Sequence, residues 1–212
     1  VGEMLAVANG IDTEVFSPDP DSRLEIRSSL AIERDSKIFI AVGRFFEAKD
    51  YPNLLEAFSL VSVAIPEADL WIVGDGPLRP VLETMIDTLG LVDRVHLLGV
   101  RKDIPGLMRA ADVFVLSSAW EGMPQVVGEA MASEKPVVVT DCGGVAEMVG
   151  DCGYLVPPHN SEALANAMLK IVALPADQAK LIGRRARQRI LDRFSLDRTV
   201  DRWLEIYSGK GA

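Results

Sequence analysis

The chain has 212 residues, about half of them apolar and a quarter charged, with a net charge of −9. That length supports one well-buried domain. The acidic balance excludes wrapping of nucleic acid, which needs a basic surface, and a strong grip on anionic lipid, but leaves room for a small phosphate ligand held by one or two local cations.

The chain opens Val1-Gly2-Glu3-Met4, without an initiator methionine or the basic segment of a secretory signal, and reads as a piece of a longer polypeptide. Residues 1–20 read as a connector: an apolar stretch at 5–8, the turn signal Asn9-Gly10-Ile11-Asp12, then Phe16-Ser17-Pro18. A weak helical segment at 21–30 follows. Short runs rich in Val, Ile and Leu then recur at 38–42, 70–73, 95–98, 113–116, 137–139 and 154–156. Mostly they do not alternate with polar residues, as expected of strands buried on both faces. Helical stretches at 54–63, 78–89, 104–111 and 126–134, and a short one at 145–149, separate them. This alternation predicts βαβ units and a six-stranded parallel α/β sheet, Rossmann-like, over residues 21–194. Helices at 161–173, 176–194 and 196–207 close the chain, with a Ser cap expected at Ser161 and breaks at Pro175 and Ser195. No apolar run approaches the roughly 18–20 residues of a membrane span. Cys142 and Cys152, each in Asp-Cys-Gly, are too few for a disulfide framework and lack metal-binding spacing; they read as buried or loop thiols of a reducing cytosol.

Ligands of parallel α/β sheets bind beyond the carboxyl ends of the strands, so the residues there hold the chemistry. After the first strand, Gly43 allows close backbone approach, and Arg44 and Lys49 place two cations over one strand end. Such cations suit a diphosphate, one as a planar fork and one as a point charge; the plain alternative is two solvated surface cations. Gly74-Asp75-Gly76-Pro77 reads as a tight strand-to-helix turn with Pro77 at the first helical position, and is not a complete dinucleotide fingerprint. Val100 and Arg101, after the third strand, offer backbone groups and a flat guanidinium to a base edge, or form an ordinary loop.

The densest stretch is 117–131. Pro124 is placed at the start of a helix, and the N–H groups around Met123 to Val126 become helix-start donors, an anion site. Glu121 sits in the loop before it. Glu129 lies on the helix, off the apolar face of Val126, Val127, Ala130 and Met131, where a carboxylate can accept two hydrogen bonds from a sugar diol; the alternative is a surface glutamate. Gly143-Gly144 allows close approach to a bulky group or makes a plain turn. His96 and His159 have no partners at catalytic spacing. Trp71 and Trp203 read as packing residues.

In their order along the chain these residues resemble glycosyltransferase family 4, the retaining enzymes of the two-Rossmann-domain B-type fold. The resemblance rests on Asn9-Gly10-Ile11-Asp12, Gly43-Arg44 with Lys49, Gly74-Asp75-Gly76-Pro77, Leu98-Gly99, residues 111–115, Pro136-Val137-Val138, and Asp141 with Gly143-Gly144 and Glu147. Its most specific part is the Glu121–Glu129 pair within Ser-x-x-x-Glu-Gly-x-Pro and Glu-Ala-Met-Ala. Glu134 departs from it, standing where the family often has Gly, and Trp120 falls at a variable position.

The resemblance implies that the chain is the C-terminal, donor-binding half of such an enzyme. Arg44 and Lys49 match the cations on the donor diphosphate. Gly43 and the backbone of Gly122, Met123, Pro124 and Gln125 match the surroundings of the distal phosphate and sugar. Glu129 matches the ribose carboxylate, Glu121 the one near the transferred sugar, and Val100 and Arg101 the resting place of the base. The family requires no divalent metal, and no Asp-x-Asp metal clamp is read in the sequence. No cofactor is implied beyond the nucleoside diphosphate-sugar itself. An N-terminal acceptor-binding domain is absent from the sequence. Residues 195–212 resemble the family's last helix, which often packs back onto that domain, and any membrane contact is expected only through it, at the cytoplasmic face. A non-catalytic sensing module and a nucleotide-sugar epimerase are the rivals. The Glu121–Glu129 block counts against the epimerase, and the incomplete glycine fingerprint against a dehydrogenase.

Overall fold

The computed structural model describes residues 7–30, 32 and 36–208. The opening Val1 to Met4 and the first half of the apolar stretch at 5–8 lie outside the described residues. The elements run α1 (Pro20–Ser29), β1 (Lys37–Val42), α2 (Tyr51–Ala64), β2 (Ala68–Val73), α3 (Arg79–Thr88), β3 (Val95–Gly99), α4 (Ile104–Ala110) and β4 (Val113–Leu116). They continue with α5 (Gln125–Ala132), β5 (Val137–Thr140), α6 (Val145–Val149), β6 (Tyr154–Val156), α7 (Ser161–Val172), α8 (Ala176–Arg193) and α9 (Leu196–Tyr207). A 3-10 turn, Glu47–Lys49, joins β1 to α2 and had no signal in the sequence.

The six strands form one parallel sheet in the order β3-β2-β1-β4-β5-β6. Successive residues point to opposite faces, and both faces are buried, which is why the strands read as unbroken apolar runs. Ile38, Ile40, Trp71, Val73, Phe114 and Leu116 pack beneath α4, α5, α6 and α8. Phe39, Ala41, Leu70, Ile72, Val113 and Val115 pack beneath α2, α3 and α7. Phe39 and Phe58 meet edge to face at 6.1 Å. Each fully buried Val, Leu, Ile or Phe among them contributes about 1.5–3 kcal/mol.

The helix α2 begins at Tyr51, three residues before the expected start, and three expected cap or first-turn residues are displaced by a residue or two. The cap of α7 is Asn160, whose Oδ1 accepts the Ala163 N–H at 2.9 Å, and Ser161 is the first helical residue. Pro124 is the cap of α5 rather than its first residue. Pro77 lies in the turn before α3, where Pro80 takes the early helical position instead. Each segment contains two neighbouring residues suited to a helix start, and only the backbone geometry selects between them. The sequence does contain one Asp-x-Asp run, Asp19-Pro20-Asp21, and its Asp19 caps α1 by accepting the Ser22 N–H at 2.9 Å. Glu134 has a left-handed φ of 57°, which explains why glycine suits that position.

Cys142 and Cys152 are buried free thiols, and burial pushes both up in pKa. Trp71 is a core residue, whereas Trp203 is 43 % exposed and stacks on Tyr207 along α9, contrary to its expected packing role. The apolar stripe of α9, with Val200 and Leu204, is likewise exposed. The connector is held to the end of the domain: Ile11 donates to the Phe194 carbonyl at 2.8 Å and accepts from the Leu196 amide at 2.9 Å, and Arg187 donates to the carbonyls of Thr13 and Phe16.

The carboxyl end of α4 collects cations. Arg23 donates to the carbonyls of Arg109, Ala110 and Ala111 at 2.6–2.7 Å. Lys135 donates to those of Arg109 and Ala111 at 2.9 and 3.1 Å. Asp112 pairs with Arg23 at 2.6 Å. Burial, and after it the charge of Arg23, lower the Lys135 ammonium from 10.5 to about 7. Between those values the unfolded chain binds the extra proton, so folding becomes more favourable as pH rises from about 7 toward 10. Lys135→Met is expected to be more stable than wild type below pH 7, with that advantage shrinking toward pH 9. Urea midpoints for both proteins at pH 6.5 and pH 9 test this, and a pH-independent difference would refute it.

Candidate active site

The sheet order reverses between β1, which leads on to β2 and β3, and β4, which leads on to β5 and β6. Helices diverge from such a switch point and leave a crevice beyond the strand ends. The loops that enter it are Gly43 to Asp50 and Ser117 to Pro124. They are bonded to each other: Ser117 Oγ donates to the Lys49 carbonyl at 2.7 Å, and the Ala119 N–H to the Ala48 carbonyl at 2.8 Å.

On this frame Lys49 Nζ donates to Glu121 Oε1 at 2.5 Å, and Ser118 Oγ donates to the same oxygen at 2.7 Å. The Lys49 and Glu121 side chains are 19 % and 14 % exposed, so the pair is largely shielded from water. Beneath it the buried Tyr51 hydroxyl donates to the Gly43 carbonyl at 3.0 Å. Burial, and then the Glu121 charge, push that phenol far above its usual range, so it remains a donor. Arg44 is exposed, has no carboxylate partner among the described residues, and lies 4.5 Å above the Phe46 ring. Gly74, at a φ of 140°, presses against this loop, and a Cβ there would fall 2.0 Å from the Gly43 carbonyl oxygen. The Gly74-Asp75-Gly76 turn thus supports the cation loop from behind.

The loop after β5 supports Glu121 in the same way. Thr140 Oγ1 donates to the Ser118 carbonyl at 2.7 Å, and the Gly144 N–H to the Gly122 carbonyl at 2.6 Å. Gly143 has a φ of 56° and would place a Cβ 1.9 Å from the Glu121 carbonyl oxygen. Beyond Gly122 and Met123, Pro124 caps α5 without a side-chain hydrogen bond; the Val127 N–H donates to the Pro124 carbonyl at 3.1 Å, and the Gln125 and Val126 amides are the ones placed to meet an anion. Glu129, one turn along α5, is half-buried rather than turned fully to solvent, and burial raises its carboxyl pKa.

Not every expected residue joins this cluster. Val100 and Arg101 are exposed at the end of β3, two strands from β1. Arg101 makes a two-point contact with Asp103 at 2.8 and 2.6 Å, and that guanidinium holds the Asp103 carboxyl below its usual range. Arg101 also borders a cavity of about 730 Å³ lined by Asp69, Trp71, Arg94 and His96, away from the Lys49–Glu121 pair. His159 does have a partner: its Nδ1 lies 2.7 Å from Asp50 Oδ2, next to Lys49. Ser118, Tyr51 and Thr140 carried no signal of a role, because their partners are distant in the chain or lie on the backbone.

The family model described as "Glycosyl transferases group 1" matches residues 22–189. The chain belongs to this family. It is 31 % identical over 210 residues to the Escherichia coli enzyme named UDP-Gal:alpha-D-GlcNAc-diphosphoundecaprenol alpha-1,3-galactosyltransferase, covering 97 % of this chain and 54 % of that one. It is 32 % identical to the putative glycosyltransferase EpsD of Bacillus subtilis, covering 94 % and 52 %. This glycosyltransferase chain therefore spans about half the length of those curated relatives. Among solved structures it superposes on Anabaena HepE in complex with UDP-glucose with a TM-score of 0.87 and 28 % identity, over 96 % of this chain and 57 % of that one. The sucrose-phosphate synthase of Thermosynechococcus elongatus gives 0.87 and 29 %, over 99 % and 53 %.

Proposed function

We propose that this glycosyltransferase chain is the donor-binding half of a retaining, metal-independent enzyme that moves a sugar from a nucleoside diphosphate-sugar to an acceptor in glycoconjugate synthesis. The observation that carries the proposal is the meeting of Lys49 and Glu121 at the switch point, beside the open first turn of α5. When the bond from sugar to phosphate breaks, charge builds on the departing diphosphate. Lys49, Arg44 and the α5 amides stand where they would stabilise that charge without rearranging, which is electrostatic preorganisation. Glu129 holds the ribose, and Glu121 faces the transferred sugar. Val100 and Arg101 border the base, with the two-point contact to Asp103 fixing the orientation of the planar guanidinium.

The acceptor site belongs to an N-terminal domain outside this sequence, and the exposed stripe of Val200, Trp203 and Leu204 on α9 is the surface that would meet it. No helix among the described residues is long and apolar enough to cross a membrane. A cytoplasmic enzyme touching a membrane only through its other domain is consistent with that.

Titration calorimetry with UDP, GDP, ADP and their glucose conjugates, all in EDTA, tests the reading. One nucleotide series is expected to bind without metal, and transfer to any acceptor is expected to be absent until the N-terminal half is supplied, because half of the positioning is missing. Binding that appears only with Mg²⁺ or Mn²⁺ would overturn metal independence.

A further inference from the structure

The Lys49–Glu121 pair poses a charge problem for any diphosphate. Glu121 Oε1 lies 2.5 Å from the ammonium. An anion that hydrogen-bonds the same ammonium at about 2.8 Å is brought within about 4–5 Å of that carboxylate oxygen. At that range, in a largely shielded site, two like charges repel appreciably. The carboxylate cannot simply swing aside, because Ser118, fully buried, donates to the same Oε1 at 2.7 Å, and the loop beneath is fixed by Thr140 and Gly144. Ser118 thus leaves Oε2 as the oxygen available to a sugar and Oε1 as the one that stays on Lys49.

We infer that Glu121 also weakens the hold on the bare nucleoside diphosphate, and so hastens its departure once the sugar is gone. The inference rests on the donor site proposed above and adds a role to it. With a donor sugar in place, hydrogen bonding of the sugar to Oε2 offsets the repulsion. Once the sugar has been transferred that offset is lost, while the repulsion between Oε1 and the phosphates remains. The carboxylate then favours release of the product over retention.

The test uses Glu121→Gln, which keeps the shape of the side chain and an acceptor for Ser118 and Lys49 but removes the charge. UDP, GDP and ADP are titrated into wild type, Glu121→Gln, Lys49→Met and the double variant, each checked for an unchanged unfolding temperature. For the diphosphate that wild type binds, Glu121→Gln is expected to bind about three- to tenfold more tightly, with most of the gain in a slower dissociation rate. On the Lys49→Met background the gain is expected to shrink, because the phosphate no longer has an ammonium to draw it beside residue 121. Equal or weaker binding by Glu121→Gln overturns the inference while leaving the donor site standing. An undiminished gain on the Lys49→Met background overturns the shared-ammonium geometry. Failure of wild type to bind any of the three diphosphates removes the donor site itself, and the inference with it.

Discussion

Glu129→Ala is expected to weaken binding of the bare nucleoside diphosphate by about ten- to a hundredfold, the usual consequence of losing a charged hydrogen-bond partner worth about 1.5–3 kcal/mol. The direction is opposite to that expected of Glu121→Gln, although the two carboxylates are eight residues apart in one motif. The fold is expected to respond in the other sense. Burial raises the Glu129 carboxyl pKa above its unfolded value, so its contribution to stability is present at low pH and is lost as pH rises through that raised value. At neutral pH the ionised Glu129 therefore costs stability. Glu129→Gln should raise the unfolding temperature at pH 7 while binding the diphosphate less well. Wild-type affinity should fall on acidification at a higher pH than an ordinary glutamate would dictate. Thermal unfolding and calorimetry on the same preparations decide the matter. A variant that binds normally, or one that melts earlier at pH 7, contradicts the role given to Glu129.

Gly143→Ala is expected to be among the most damaging single substitutions near the site. Its φ of 56° already disfavours a side chain, at about 1–2 kcal/mol, and its Cβ would enter the space of the Glu121 and Gly122 carbonyl oxygens, at 1.9 and 2.7 Å. Both backbones must separate, so a loss of at least about 2 kcal/mol in stability is expected. An ångström of displacement at Glu121 would cost about a hundredfold in turnover of the two-domain enzyme. Gly122→Ala is the control: it lies in the facing loop beside Glu121, with nothing within 4 Å of an added Cβ. Denaturant midpoints should separate the two substitutions clearly, and similar losses for both would mean that the close packing of the two loops is not what Gly143 provides.

The strands were legible because both faces are buried: β1, β4 and β5 contain no alternation to confuse with a helix, and even the three-residue β6 was visible between its turns. Helix starts were less so, since Pro77 and Ser161 are suitable first-turn or cap residues by type and lose only to neighbours in better position. Of the residues singled out at the strand ends by type and by the motif around them, Lys49 and Glu121 meet in the structure. What sequence could not express is contact across distance. Lys49 and Glu121 are 72 residues apart, and nothing local marks them as a pair. The role of Gly143 depends on the backbone of a different loop, and that of Ser118 on a carboxylate rotamer. His159 appeared solitary because its partner, Asp50, lies on the far side of the sequence. Trp203 read as a packing residue by type, and only the structure reveals that it and its α9 neighbours Val200 and Leu204 remain largely exposed.

The bridge between Ile11 and Ser195 closes a loop of 184 residues, from 195 − 11. Closing so long a flexible loop costs about 4–5 kcal/mol of chain entropy, and two backbone hydrogen bonds cannot offset that unaided. The contact becomes affordable only after the sheet between them has assembled and brought both segments to the same place. It is therefore a late event in folding, and once formed it makes the two ends of the domain interdependent. Ile11, 2 % exposed, loses its place if the start of α9 comes away, and α9 loses its anchor if the connector is pulled. A mechanical load applied at either end would be felt first at this clasp, before any strand of the sheet was disturbed.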